Sequence, residues 1–124
     1  MKIILSIKPQ YCEEIFAGVK RFEYRRKIFK QSVESVLVYA TSPICKIVGE
    51  FEIDRVIEDT PKSLWNQTNR YGGISQELYD QYFQGADTAY ALAIANYKRY
   101  QSPLDPKVLD SNFVAPQSYR YYNN

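Results

Sequence analysis

The chain has 124 residues, a length that suits one domain around one hydrophobic core. Its net charge of +2 is too small for a polycation, so any affinity for nucleic acid has to come from local clusters of basic residues. The absence of histidine excludes a histidine general base, a histidine-based catalytic triad and ordinary zinc sites.

The cysteines and the hydropathy pattern indicate the cellular compartment of the protein. Cys12 and Cys45 lack CxxC spacing, so the sequence predicts neither a metal site nor a disulfide framework, and reduced thiols are typical of cytosolic proteins. The apolar run at residues 3–5 is too short for a signal peptide. No stretch approaches the roughly 20 apolar residues of a membrane span. We therefore expect a cytoplasmic protein without a membrane segment, whose oligomeric state the sequence leaves open.

The N-terminal elements are predicted to be a strand, a helix and a second strand. Residues 2–7 form a short apolar run typical of a buried strand. Pro9 is favoured at the first position of a helix, and Gly18 fits the left-handed residue that follows a last turn. The next strand is expected to begin near Lys20.

The middle of the chain is predicted to be sheet. Residues 35–40 are almost continuously apolar, which indicates a central strand. A turn at 41–43 leads into residues 44–58, where apolar and acidic residues alternate as in a half-buried strand. Gly49 interrupts this strand and indicates a bulge or a barrel corner.

Two short helices follow. Thr60 and Pro61 have the residue types of an N-cap and a first helical position, and Ser75 can cap a second helix that runs to Phe83. Gly85 fits the stop of this second helix. Its predicted apolar face consists of Leu78, Tyr79, Tyr82 and Phe83.

The last predicted strand is residues 88–100, where alanines alternate with larger side chains. Alanine favours a helix, but the period of two favours a strand whose alanine side is crowded by neighbouring backbone. Residues 103–124 contain three prolines and no periodicity, so we expect an irregular C-terminal strap held by its aromatic residues. About five strands and two or three short helices predict a single α+β domain over residues 1–124.

The stretch "GVKRFEYRR", residues 18–26, holds one acid inside the densest basic cluster of the chain. If it is a strand, alternation places Glu23 on one face with Arg21, Arg25 and Lys27. One interpretation is that the carboxylate orients an arginine fork toward a ligand through charge-assisted hydrogen bonds. The alternative is a solvated charged face with weak ion pairs.

The spacing of Gly18, Lys20, Glu23 and Arg25, G-x-K-x-x-E-x-R, resembles the signature of the ASCH domain family, a branch of the PUA-like superfamily. The flanking segments resemble that family in the same order: "LSIKPQYCEEIFAG" before the motif, then "VYATSP" and "IVGEFEIDRV". The resemblance covers nearly the whole chain and is strongest to small single-domain bacterial and phage members.

The resemblance implies a small mixed PUA-like β-barrel with a cleft that binds RNA or a modified nucleotide or nucleoside. In that cleft, Glu23 would accept hydrogen bonds from base amino or imino groups. Lys20 and Arg25 would hold a phosphate or a carbonyl and offset the cost of burying the acid.

Four further residues are candidates for contact with the ligand. Tyr39 or Tyr97 can offer a stacking face for a base, although a strand tyrosine is more often part of the core. The family pattern places Lys8 and Ser42 near the mouth of the cleft. The alternative for these two is a surface lysine at a helix start and a turn serine.

Whether the protein has catalytic turnover is left open. One ASCH branch removes the acetyl group of acetylated cytidine with Lys, Thr and Glu, but Glu23 stands where that branch has its threonine, and Thr41 is not shown to replace it. If the protein is an enzyme, Lys20 and Glu23 are the candidate catalytic residues.

A second enzymatic alternative is a metal-dependent ribonuclease. No cofactor is expected otherwise, but Glu23, Glu50 and Glu52 could supply oxygen ligands for Mg²⁺ or Mn²⁺ in such an enzyme. The competing interpretation of Glu50 and Glu52 is the solvent-facing side of a strand. A third hypothesis is a regulatory domain that contacts a protein partner.

Overall fold

The computed structural model describes residues 1–122 and contains six strands and three α-helices. In chain order these elements are β1 (Lys2–Ile7), α1 (Pro9–Phe16), β2 (Phe22–Arg25), β3 (Ser35–Ala40), β4 (Lys46–Asp59), α2 (Pro61–Thr68), α3 (Gln76–Tyr82), β5 (Ala89–Leu104) and β6 (Tyr119–Tyr122). None of the helices within residues 1–122 is long and apolar enough to cross a membrane.

The six strands form one sheet in the order β2-β5-β4-β3-β1-β6. Only β1 and β3 pair in parallel, and α1 follows β1, while the other neighbours run antiparallel. The sheet curls into a half-barrel, which confirms the predicted α+β class and PUA-like shape. It has one strand more than the five expected.

The β2 edge and the β1–β6 edge of the sheet are joined by a side chain. Arg25 at the end of β2 donates from Nη2 to the carbonyl of Ser6 in β1 at 3.0 Å. Its Nη1 donates to Ser118 Oγ, beside β6, at 3.2 Å. The motif arginine therefore connects elements that no backbone ladder joins.

The middle of the sheet is covered on both faces. Ile3, Leu5, Val36 and Val38 pack in one cluster with α1, and Ile4, Leu37, Tyr39 and Ile47 pack in another against Phe113 of the C-terminal segment. Both faces of β3 are therefore buried, which explains its continuous apolar run and confirms it as a central strand. Each fully buried aliphatic side chain contributes about 1.5–3 kcal/mol of transfer free energy.

A separate cluster supports the β2–β5 end of the sheet. Tyr24 of β2 packs there with Leu64 of α2 and with Tyr79 and Phe83 around the end of α3. Ala91 lies in the same cluster and is fully buried, so the small side chains of β5 leave room for the helices. Residues 89–104 are a strand, as the period of two predicted, and not a helix.

The predicted caps and glycine positions are confirmed. Thr60 Oγ1 and Ser75 Oγ accept from the backbone N–H groups of Ser63 and Leu78, so both serve as N-caps. Gly18 follows α1 with φ of 78°. Gly49 lies at a register shift of β4, where a Cβ would meet the Phe16 ring and the Lys98 carbonyl.

The C-terminal segment differs from the irregular strap that the sequence predicted. Tyr119–Tyr122 forms β6, antiparallel to β1, and Pro106–Val108 is a 3₁₀ turn. The sequence of β6 shows no apolar alternation. This short edge strand forms because it pairs with β1, which lies more than a hundred residues earlier in the chain. The last two residues of the predicted strap lie outside the described residues.

Candidate functional site

The chain enters the motif through a turn that frees Lys20 from strand alternation. α1 ends at Phe16, and the backbone N–H groups of Val19 and Lys20 both donate to the Glu14 carbonyl. Lys20 therefore lies two residues before β2 begins, in this turn. Its side chain reaches the same side as Glu23 and Arg25, which a continuous strand would not allow for Lys20.

The three motif side chains line a cavity of about 580 Å³. Pockets for small organic ligands are about 300–1,000 Å³, so this volume suits one nucleotide unit. Lys8, Gln10 and Tyr11 line it from the start of α1, and an apolar wall comes from α3 and the loop before it: Ile74, Leu78 and Tyr82.

Glu23 is paired with both cations of the motif. Arg25 Nη2 donates to Glu23 Oε2 at 2.9 Å, and Lys20 Nζ lies 3.8 Å from Glu23 Oε1. The side chains of Lys20, Glu23 and Arg25 are only 3%, 10% and 12% exposed. Burying these charges is tolerable because each has an opposite charge beside it, and the cluster keeps a formal charge of +1.

The Lys20 ammonium lies in a cage. Its Nζ donates to the Gly72 carbonyl at 2.6 Å and lies over the rings of Tyr11 and Tyr24, at 5.3 and 5.0 Å from their centroids. Burial lowers the pKa of Lys20, while the nearby Glu23 carboxylate acts in the opposite direction. The ordinary preference of lysine for its charged form is therefore weakened in the cavity.

The cage depends on the two glycines of the 72–73 loop. A Cβ on Gly73 would lie 2.8 Å from both Cβ and Cγ of Lys20, and one on Gly72 would collide with the hydroxyl of Tyr24. The Tyr24 hydroxyl is itself fixed by a 2.7 Å hydrogen bond to Thr68 Oγ1. The loop packs directly on the motif lysine because neither position carries a side chain.

Arg25 is held by several hydrogen bonds but keeps one buried donor unpaired among the described residues. Its Nη groups bond to Ser6, Glu23 and Ser118, but its Nε–H is buried and has no hydrogen-bond partner within residues 1–122. Leaving a buried donor unpaired costs free energy, which the three bonds of the Nη groups offset. Ser118, from the C-terminal segment, was not predicted as part of this cluster.

The seven sequence-predicted ligand residues fall into two groups. Lys8, Lys20, Glu23 and Arg25 line the cavity. The other three do not: Tyr39 is buried against Phe113, Ser42 is exposed in the turn after β3, and Tyr97 places its hydroxyl beside Gly18. These three residues are not among those that line the cavity, and no role in binding is tested for any of the seven.

The tyrosines that do line the cavity are Tyr11, Tyr24 and Tyr82. Tyr82 and Leu78 were expected to belong to the apolar face of α3, yet they are 40% and 48% exposed and lie on the cavity wall. Tyr79 and Phe83 alone fill the expected core positions. A helical pattern does not distinguish a side chain facing the core from one facing a cavity, so this signal was ambiguous.

The carboxylates proposed for Mg²⁺ or Mn²⁺ are not brought together. Glu23 pairs with Leu92 of β5, whereas Glu50 pairs with Lys98, six residues further along that strand and roughly 20 Å away. Within residues 1–122, no group of three acidic, cysteine or histidine residues has metal-binding geometry. The three glutamates therefore do not fit a shared metal site.

The threonine of the acetylcytidine type of chemistry is not among the described residues that line the cavity. Within the described chain, no threonine lines the cavity, and Thr41 lies in the turn after β3. Glu23 occupies the corresponding place, where a carboxylate would repel a developing oxyanion.

Comparison with known proteins places this fold and motif in context. The family model described as ASCH domain matches residues 5–101. The "ASCH domain-containing ribonuclease" of Zymomonas mobilis is 27% identical over 122 residues, which cover 93% of this chain and 80% of that protein. A large ribosomal subunit protein of Ureaplasma parvum is 33% identical over 104 residues, but the match spans only 33% of that protein.

A solved structure agrees over almost the whole fold. The crystal structure of ASCH from Zymomonas mobilis matches with a TM-score of 0.91 and 25% sequence identity, covering 98% of this chain and 87% of that chain. The family match extends from β1 into β5 and includes the whole motif. The chain therefore belongs to the ASCH domain family.

Proposed function

We propose that this protein binds RNA by taking one nucleotide unit into the cavity. The observation that carries the proposal is the buried Lys20–Glu23–Arg25 cluster, which presents an acceptor and two cations on the wall of a nucleotide-sized space. The relative from Zymomonas mobilis, which is named a ribonuclease and is similar over 93% of this chain, supports RNA as the ligand class.

The cluster has hydrogen-bonding capacity left for such a ligand. Each Glu23 oxygen has a second lone pair that can accept from a base amino or imino group. Lys20 Nζ has further N–H donors that suit a carbonyl or phosphate oxygen. Tyr82, exposed on the cavity wall, offers a ring for base stacking.

RNA cleavage is the second candidate, favoured by the name of the relative and by the lowered pKa of Lys20. A neutral Lys20 would accept the proton of a ribose 2′-hydroxyl, and the oxygen would attack the adjacent phosphorus. The bond from phosphorus to the 5′-oxygen would break, leaving a 2′,3′-cyclic phosphate, and the departing 5′-oxygen would take a proton from water to become a 5′-hydroxyl. Arg25 would offset the charge on the phosphate during this step.

Glu23→Gln tests the binding proposal. The shape is retained, but one acceptor becomes a donor and the negative charge beside Arg25 is lost. A hydrogen bond to a charged group is worth about 1.5–3 kcal/mol, so affinity for ribonucleotides should fall on the order of 10- to 100-fold. Calorimetric titration with the four ribonucleoside monophosphates and short single-stranded RNAs measures this change.

Glu58→Gln is the matched control, because it removes the same charge from an exposed position on β4. Its affinity for RNA should equal that of the wild type or rise slightly. If Glu23 only repelled phosphate, Glu23→Gln would bind every ligand more tightly, and that result would overturn its proposed role. Chromatography of RNA incubated with the protein in EDTA tests the second candidate, which requires products ending in a 2′,3′-cyclic phosphate.

A further inference from the structure

A second basic group lies outside the cavity and is built around one exposed tyrosine. The guanidinium carbon of Arg21 lies 4.2 Å from the centroid of the Tyr71 ring, and that of Arg70 lies 5.7 Å from the same centroid. Tyr71 is 37% exposed, and both arginines are exposed. We call Arg21, Arg70 and Tyr71 the outer cluster.

The arginines of the outer cluster differ from the other arginines of the chain. Arg25, Arg55, Arg99 and Arg120 each pair with a carboxylate, and Arg26 donates to the carbonyls of Tyr82 and Gln84. Within residues 1–122, the side chains of Arg21 and Arg70 have neither an ion pair nor a hydrogen bond. Two positively charged guanidinium groups therefore lie over the same ring, and neither is paired with a carboxylate of the described residues. A bound anion would relieve the repulsion between them.

The outer cluster is held in position. The backbone N–H of Arg21 donates to the Tyr71 carbonyl at 2.7 Å, and the Arg21 carbonyl accepts from Ile94 N at 2.9 Å. Stacking on the ring orders the planar guanidinium of Arg21 and leaves its N–H groups available at the edge. Less side-chain entropy is therefore lost when it binds a ligand.

The outer cluster is also continuous with the cavity. Arg21 directly follows Lys20, and Tyr71 directly precedes Gly72, whose carbonyl accepts from Lys20 Nζ. Two residues of the outer cluster are thus direct chain neighbours of Lys20 and of the Gly72 carbonyl that binds it. A polymer with one unit in the cavity would have its neighbouring unit close to these arginines.

We propose that the outer cluster binds the phosphate backbone of a single-stranded RNA whose neighbouring nucleotide occupies the cavity. This inference rests on the proposed function and adds that the preferred ligand is a strand and not a free nucleotide. Guanidinium forks match phosphate oxygens, and the Tyr71 ring holds the Arg21 guanidinium in place for that contact. A strand therefore gains contacts here that a mononucleotide does not reach.

The test compares ligands of two lengths on the double variant Arg21→Ala/Arg70→Ala. Its affinity for ribonucleoside monophosphates should stay within about twofold of the wild type. Its affinity for fluorescently labelled hexaribonucleotides should fall about tenfold or more in anisotropy titrations. Each phosphate contact contributes about 0.7 to the slope of log affinity against log salt for single strands, so the slope should decrease by about 1.4.

Two further variants separate the outer cluster from net charge and from folding. Lys30→Ala/Lys107→Ala removes the same charge from exposed residues outside the cluster and should leave hexanucleotide affinity within about twofold. Arg21→Lys/Arg70→Lys keeps the charge but loses the planar fork, so an intermediate affinity is expected. This conservative pair keeps the test decisive if the alanine variant folds poorly.

The outcomes distinguish the two proposals. A wild-type protein that binds neither mononucleotides nor hexanucleotides overturns the proposed function and this inference with it. A wild type that binds both overturns the inference alone if hexanucleotide affinity and salt slope are unchanged in the alanine pair, or if hexanucleotide affinity is unchanged in the lysine pair. Equal loss in the Lys30→Ala/Lys107→Ala control would assign the effect to net charge and also overturn it.

Discussion

The motif cluster and the Glu13–Arg99 pair contain ion pairs of similar geometry in different surroundings. Arg99 donates to both oxygens of Glu13, at 3.1 and 2.7 Å, and Arg25 donates to Glu23 at 2.9 Å. The side chains of Glu13 and Arg99 are 68% and 48% exposed, whereas those of Glu23 and Arg25 are 10% and 12% exposed. Distance alone would rank the exposed, bidentate pair as the stronger one.

Burial therefore decides how much free energy is lost when an ion pair is broken. Water and salt screen the exposed pair, so its removal costs roughly 0.2–1 kcal/mol. Removing one partner of a buried pair leaves an uncompensated charge and costs about 3–5 kcal/mol. Because breaking the buried cluster is costly, its side chains keep a fixed orientation, as a binding site requires.

Breaking the buried cluster should produce the largest effect. Glu23→Ala leaves Lys20 and Arg25 without their shared counter-charge, so the free energy of unfolding should fall by about 3–5 kcal/mol. Urea denaturation followed by circular dichroism measures this loss. Glu58→Ala, at an exposed position on β4, should change the unfolding free energy by about 0.5 kcal/mol or less. Equal losses in the two variants would contradict the role given to burial.

Displacing Lys20 without changing any charge tests whether the position of the buried lysine matters as well as its charge. Gly73→Ala places a Cβ against the Lys20 stem and adds the strain of φ at +66°. We expect it to lower the unfolding free energy by about 2–3 kcal/mol and to weaken ribonucleotide binding.

Gly85→Ala is the matched control for this substitution, because Gly85 has φ of +80° and nothing within 4 Å of an added Cβ. It should cost only the conformational strain, about 1–2 kcal/mol, and leave nucleotide affinity unchanged. Identical binding by Gly73→Ala and Gly85→Ala would show that the 72–73 loop does not position Lys20.

Breaking the exposed pair should produce the smallest effect. Glu13→Gln should cost about 0.2–1 kcal/mol, with the smaller value at high salt. The hydrogen bond from Arg99 lowers the pKa of Glu13 below its ordinary 4.5, so the contribution is complete above that pH and is lost as pH falls through the lower folded-state pKa. Urea titrations of wild type and variant should therefore differ at pH 7, and the difference should shrink as the pH is lowered step by step below 4.5.

The local elements and the composition of the motif could be predicted from the amino-acid sequence alone. Thr60, Ser75 and Gly18 mark helix boundaries through backbone chemistry that acts over a few residues, and all three were predicted. The continuous apolar run of β3 predicted its central place, because such a run needs cover on both faces.

The side chains that surround the motif could not be predicted in this way, because they come from distant parts of the chain. Lys20 meets a carbonyl 52 residues away, and Arg25 meets a serine 93 residues away, contacts that no local spacing encodes. Tyr39 and Tyr82 are both tyrosines within ordered elements, yet one packs into the core and the other faces the cavity. Their difference arises from how the C-terminal segment and α3 pack on the sheet, because long-range packing sets which face of each element is covered.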